Sequence, residues 1–336
     1  MESVQVDDLP SGPGWQYEPK WDGFRCIAVR RGKTVTLISK SGKPLGRYFP
    51  EVVEMLAAVK ADPFIIDGEL AIPVGKGLSF DALQLRLHPA ASRVRKLADE
   101  TPAIFILFDA LAVPKDGDLA LRPLIDRRRA LEALFKQMVR GNAGLRLSPC
   151  THRRAEAAKW LSGVGGGALD GVIAKRLDEP YRMGERAMRK VKRLRSADCV
   201  VGGYRYATGA KVVGSLLLGL YNEDGKLDHV GFTSGLTAEQ RKQLTPKLEK
   251  LRGGPGFTGS APGGPSRWST DRSSQWEPLK PKLVVEVQYD HVTGERFRHG
   301  TRLLRWRPDK APAQCTFDQI ARTARPSQTM RAIMAR

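Results

Sequence analysis

Apolar and polar positions alternate along residues 26–39. Cys26-Ile27-Ala28-Val29, a polar turn at Arg31-Gly32-Lys33 and Thr34-Val35-Thr36-Leu37-Ile38-Ser39 together predict a β-hairpin. The period then lengthens: Val52, Val53, Leu56 and Val59 share one face of a helix over residues 50–60. The apolar run Phe64-Ile65-Ile66 predicts a buried strand that delivers Asp67-Gly68-Glu69 at its end. Residues 104–111 predict another, ending in Phe108 and Asp109. Residues 122–139 read as an amphipathic helix and Leu145-Arg146-Leu147 as a short strand. Residues 155–161 read as a helix that ends at Gly165, Gly166 and Gly167. The first part of the chain is therefore mixed α+β, with strands carrying polar motifs at their ends.

After about residue 197 the pattern changes to short apolar strands separated by glycines: Cys199-Val200-Val201, residues 215–220, residues 227–232 and Leu283-Val284-Val285-Glu286-Val287. That spacing suits a small five-stranded β-barrel of the oligonucleotide-binding (OB) type. We expect one domain over residues 1–195 and a barrel domain over 196–325. Within the barrel, residues 252–276 are rich in Gly, Pro and Ser and read as a flexible loop, or else a linker, with little to pack. Residues 326–336 form a basic tail, either a helix or disordered. There is no internal repeat.

Composition narrows the partners. Among 336 residues, 56 Lys and Arg stand against 36 Asp and Glu, a formal charge of +20, which points to a polyanion such as nucleic acid. A membrane surface is the weaker alternative, since neither a long apolar span nor a basic amphipathic anchor stands out. The four cysteines, Cys26, Cys150, Cys199 and Cys315, have no paired spacing, so neither a zinc site nor a disulfide framework is expected. None of the five histidines has metal-ligand spacing. The first residues lack the basic and apolar regions of a secretory signal, and a cytoplasmic protein is expected, nucleoid-associated when bound to DNA.

The chemistry centres on Lys20-Trp21-Asp22-Gly23-Phe24-Arg25. A lysine becomes a nucleophile only as the free amine, so neighbouring cations or a desolvated pocket must favour loss of its proton. Alone, a Lys-x-Asp-Gly string equally describes a solvated turn. Its company is more specific: Ser39-Lys40-Ser41-Gly42, Asp67-Gly68-Glu69-Leu70, Phe105-Ile106-Leu107-Phe108-Asp109, Asp170-Gly171-Val172-Ile173-Ala174-Lys175, Met188-Arg189-Lys190-Val191-Lys192 and Arg305-Trp306-Arg307-Pro308-Asp309-Lys310. In that order these motifs resemble the covalent nucleotidyltransferases, specifically the ATP-dependent DNA ligases. The resemblance runs from about Tyr17 to Lys310. The wording of Asp170 to Arg176, of Ala197-Asp198-Cys199-Val200-Val201-Gly202-Gly203 and of Arg298-His299-Gly300-Thr301 is closest to the small bacterial ligases of type C.

The resemblance implies an ATP-grasp-like nucleotidyltransferase (adenylation) domain followed by a C-terminal OB-fold domain. It implies that Lys20 attacks the α-phosphorus of ATP, that AMP passes to the 5′-phosphate of a nick, and that the 3′-hydroxyl then displaces AMP. It further implies that Asp170, where many relatives carry Glu, and Glu69 contact Mg²⁺ or Mn²⁺. Glu69 also holds the ribose, Phe108 stacks on adenine, and Glu18 meets the exocyclic amine, favouring ATP over GTP. Lys190 and Lys192 reach the α-phosphate, and Lys175 either holds a phosphate or lowers the pKa of Lys20. Met188 stands where an aromatic is usual. Arg25, Lys40 and Arg186 contact the nucleotide or the nick's 5′-phosphate, and Arg305, Arg307, Asp309 and Lys310 orient pyrophosphate once the barrel closes. Nicked duplex DNA is the expected partner, with a primase-polymerase in repair, and a monomer the expected state.

Messenger-RNA guanylyltransferases and RNA ligases share the lysine motif. Glu18 and the bacterial wording weigh against the first, the Arg-x-Asp-Lys ending and the barrel against the second. NAD-dependent ligases are excluded by the missing nicotinamide module and zinc cysteines. A non-catalytic basic DNA-binding protein is the alternative from outside enzymology, and replacing Lys20 separates the two.

Overall fold

A computed structural model describes residues 1–321 and Ile333, apart from residues 76, 141, 163–168 and 264–274. The chain divides into two compact units. The first is Met1–Arg193, to which Ile333 also belongs, and the second begins at Leu194.

The first unit is built on two sheets. One orders the strands Ser3–Gln5, Met188–Val191, Leu169–Arg176 and Trp15–Trp21. The other orders Leu145–Leu147, Ile104–Val113, Phe64–Ala71, Phe24–Arg31 and Thr34–Ser39. Helices Pro50–Ala58 and Leu124–Met138 bury Val52, Leu56, Leu131 and Leu134 in one core with Phe64, Ile66, Phe105 and Leu107 of the second sheet. The hairpin, both helices and the short strand fall where the hydrophobic period places them. The buried strands run further than their apolar residues: Asp67-Gly68-Glu69 lies inside Phe64–Ala71, and Phe108 and Asp109 lie mid-strand in Ile104–Val113. The motifs were expected at strand ends. They sit mid-strand because the ladder continues through them, Glu69 opposite Arg25 and Ile106, and Asp67 opposite Ile27 and Asp109.

The helix expected over 155–161 spans Arg154–Ser162, and the glycines 165–167 at its end lie outside the described residues. The strand Trp15–Trp21 and the helix Ala91–Glu100 had no expectation. The first mixes aromatic, charged and proline residues with no alternation, and the second carries Val94 and Ala98 as its buried residues.

The second unit orders Leu227–Thr233, Val213–Tyr221, Arg195–Tyr206, Val284–Tyr289 and Arg302–Trp306 in an antiparallel sheet. A bridge between Thr233 and Thr301, with Thr301 N donating to Phe232 O at 3.0 Å, links its first and last strands into a barrel. A helix, Ala238–Glu249, is started by a capping box in which Thr237 and Gln240 exchange side-chain and backbone bonds.

The segment 252–276 departs from expectation over its described part. Phe257 is buried and meets Trp276 edge-on at 5.4 Å, both packed on the barrel core. Room for the Phe257 ring exists because Gly202 and Gly219 carry no Cβ, which would stand 2.7 and 2.9 Å from it. The glycine-rich composition hid these two aromatic anchors; residues 264–274 of the segment lie outside the described residues. Of the tail 326–336 only Ile333 is described. It is 4% exposed, packed with Trp21, Ile104, Ile106 and Leu169 of the first unit, and its carbonyl accepts from Arg146 Nε at 2.6 Å. No helix among the described residues is long and apolar enough to cross a membrane.

Candidate active site

Alternation along Trp15–Trp21 puts Glu18 and Lys20 on one face of the sheet, beside Leu169–Arg176, where Lys20 pairs in register with Gly171 and Glu18 with Ile173. That register brings Lys20 Nζ to 2.6 Å from Asp170 Oδ2, and the same oxygen lies 3.1 Å from Lys192 Nζ. Asp170 is 8% exposed. Burial alone would raise its pKa, but the ammonium groups of Lys20 and Lys192 outweigh burial and hold it below the usual carboxylate range. Gly171 is required by close approach, since a Cβ there would stand 2.1 Å from the Val191 carbonyl oxygen. Gly23 plays the same part in the turn after Lys20, where a Cβ would meet the Leu70 carbonyl at 2.3 Å. Its N–H instead donates to Glu69 Oε1 at 3.1 Å.

A cavity of about 250 Å³ lies between the two sheets. The first sheet contributes Glu18, Lys20, Lys175 and Lys190 to its lining; Arg25, Lys40, Glu69 and Phe108 come from the second sheet and the residue just past its edge strand. Eight of the expected site residues thus meet at one place. Phe108 is partly buried in a strand whose adjacent residues are fully buried, and it lines the cavity. Lys175 Nζ stands 4.8 Å from its ring centre and forms a buried ion pair with Glu18 at 2.8 Å. The other Glu18 oxygen accepts from Gln16 at 2.7 Å. Burial pushes the Glu69 carboxyl up to about 8, against the pull of Lys20 and Arg25. Burial also lowers Lys190, helped by the nearby charges of Lys192 and Lys20.

A larger groove of about 970 Å³ shares Glu2, Arg25, Lys40 and Glu69 with the cavity and adds Lys43 and Arg47. Arg25 donates through Nε and Nη2 to Asp67 at 3.1 and 2.6 Å. Arg186 is exposed and lines neither space. In the second unit, Arg305 pairs with Glu286 at 2.7 Å, Arg307 with Asp198 at 2.9 Å and with Asp309, and Lys310 with Asp198 at 3.2 Å.

Sequence reasoning passed over Asp67, Tyr181, Asp198 and Glu2. Asp67 and Asp198 stood inside quoted motifs but had no assigned partner. Glu2 pairs with Lys40 at 3.5 Å because the strand Ser3–Gln5 adds itself to Met188–Val191, a long-range pairing with no local signal. Among the described residues no cluster of three or more His, Cys, Asp or Glu side chains is arranged to hold a metal. A divalent cation that draws most ligands from phosphate and water needs only one or two carboxylates, and ionised Asp170 beside the Lys20 amine fits that need.

Comparison with known proteins bears on the whole chain. The family model of the ATP dependent DNA ligase domain matches residues 6–192, and that of the ATP dependent DNA ligase C terminal region matches residues 209–310. DNA ligase C1 of Mycolicibacterium smegmatis is 45% identical over 329 residues, covering 95% of this chain and 92% of the relative. DNA ligase C of Mycobacterium tuberculosis is 43% identical over 336 residues, covering 96% and 93%. A solved Lig E DNA ligase shares the fold, with a TM-score of 0.56 at 17% identity over 91% of this chain and 100% of that one.

Proposed function

The chain belongs to the ATP-dependent DNA ligases, of the type C kind, and from that premise we propose that Lys20 is the residue that carries AMP. As a member it is a DNA ligase that uses ATP to seal 5′-phosphate/3′-hydroxyl nicks in duplex DNA, with an adenylation domain followed by an OB-fold domain. The observation that carries the residue assignment is the Lys20 amine in a cavity between two sheets, 2.6 Å from an ionised Asp170 and among further cations.

In the first step Lys20 Nζ loses a proton, forms an N–P bond to the α-phosphorus and releases pyrophosphate. Asp170 Oδ2 accepts a hydrogen bond from Lys20 Nζ and orients the amine, whose proton passes to water. Lys190 and Lys192 offset charge on the α-phosphate oxygens. Phe108 offers a flat face to adenine, Glu18 and Lys175 mark the base end of the cavity, and Glu69 meets the ribose hydroxyls. Asp170 would hold Mg²⁺ or Mn²⁺ together with phosphate oxygens, and the ion when bound neutralises charge on the transferring phosphate. Arg305, Arg307 and Lys310 exchange Asp198 and Glu286 for pyrophosphate oxygens. In the second step the N–P bond breaks as a 5′-phosphate oxygen takes AMP, with Arg25 and Lys40 at the mouth shared by cavity and groove. In the third, the 3′-hydroxyl attacks that phosphate and AMP leaves.

Kinship with type C ligases supports a role in DNA repair, as a monomer on chromosomal DNA in the cytoplasm, beside a primase-polymerase. A primase-polymerase that neither co-purifies with the ligase nor stimulates it would remove that partner. The central test follows label from α-labelled ATP into the protein, beside GTP and Lys20→Ala, with a nicked duplex as chase. ATP-specific labelling that needs Lys20 and is discharged as the nick is sealed supports the assignment. Labelling of Lys20→Ala at the wild-type level rejects it.

A further inference from the structure

Beneath the cavity a buried polar network centres on Tyr181, a residue outside every motif. Its hydroxyl donates to Asp67 Oδ2 at 2.6 Å and accepts from Arg25 Nη2 at 3.1 Å. Asp67 is fully buried and Tyr181 is 7% exposed. A guanidinium has five N–H groups. In Arg25 the Nε and Nη2 edge is taken by Asp67 and Tyr181, and Nη1 donates to the Met1 carbonyl. Nη1 is therefore the nitrogen with a hydrogen to offer a ligand, and Arg25 lines both the cavity and the groove.

Tyr181 is itself held from the far side. It lies between the strands Leu169–Arg176 and Met188–Val191, in a segment tied down by Tyr181 N to Ala120 O at 2.8 Å and Leu124 N to Glu179 O at 3.1 Å. From the helix Leu124–Met138, Arg127 places its guanidinium 5.7 Å from the Tyr181 ring centre while gripping Asp109 at 2.8 and 3.0 Å. Asp109 adjoins Phe108.

We infer that Tyr181 is a positioning residue for Arg25, fixing the guanidinium so that Nη1 faces the mouth where the nick's 5′-phosphate meets AMP. The inference rests on Arg25 being a phosphate contact. A lone carboxylate can slide from the Nε/Nη2 edge of an arginine to the Nη1/Nη2 edge, which would consume Nη1. A phenol bonded to both partners closes a ring of hydrogen bonds and blocks that slide.

The test uses the full chain and two single-turnover rates, self-adenylation from ATP and transfer of AMP to a nicked duplex. Tyr181→Phe keeps the ring under Arg127 and removes only the hydroxyl. Expected are a transfer rate reduced about tenfold more than self-adenylation, a higher half-saturating concentration of 5′-phosphorylated nick, and unaltered binding of a 5′-hydroxyl nick. In an Arg25→Ala background Tyr181→Phe adds no further loss, because the effect passes through Arg25. If Arg25→Ala leaves transfer intact, the phosphate role of Arg25 falls and positioning falls with it. If Arg25→Ala impairs transfer while Tyr181→Phe does not, or if the two losses add, Tyr181 does not act through Arg25. Equal loss in both steps with a lowered unfolding midpoint reduces Tyr181 to a packing role, which also overturns the inference.

Discussion

Asp170 serves two ammonium groups with one oxygen, and this sets what each charge near it can do. Replacing it by Asn removes the negative charge that the Lys20 and Lys192 ammonium groups share. Asp170→Asn is expected to slow self-adenylation about a hundredfold, read by label transfer from ATP in a single turnover. Glu69 gives a pH signature. Its carboxyl rises from an ordinary value of 4.5 to about 8 on folding, so between those values the folded chain holds a proton that the unfolded chain has lost. Stability therefore falls as pH rises through that window. Glu69→Gln removes this slope, and its unfolding midpoint relative to wild type should improve from pH ~5 to pH ~8.5. A relative midpoint that does not change with pH would show that Glu69 ionises normally. At this scale the motif residues were legible because lysines, carboxylates and an aromatic recur in a fixed order. The partners Tyr181, Asp67 and Asp198 were not, since a hydrogen bond spanning 114 positions, as between Tyr181 and Asp67, leaves no trace in local pattern.

Strands with a clear apolar run or alternation were readable, and the barrel strands followed the same signal. Trp15–Trp21 was not, because burial on both faces gives it aromatic, charged and proline residues in no simple period. The segment after Arg252 was misread because glycine content masked Phe257, which fills space left by two glycines on neighbouring strands. Phe257→Ala should cost the barrel about 3–5 kcal/mol, measured by urea unfolding; a loss below 1 kcal/mol would mean the segment is not part of the core. Ile333 makes a matching case in the first unit. Ile333→Ala should destabilise that unit by about 2–5 kcal/mol, seen as a lower midpoint in the same experiment.

Over the whole molecule the charge of +20 governs encounter with DNA more than recognition of the nick. Affinity for nicked duplex should fall linearly in log–log form as salt rises, with a slope of about −0.9 per phosphate neutralised. A flat response in a filter-binding titration would contradict the polyanion reading. The placement of Ile333 carries a consequence for the barrel. Chain leaves the first unit at Arg193 and is back in it by Ile333, so the barrel is in topology an insertion with two covalent moorings. The last stretch of sequence is therefore part of the first unit's interior, and cutting the chain ahead of Ile333 would leave that unit without a piece of its own core.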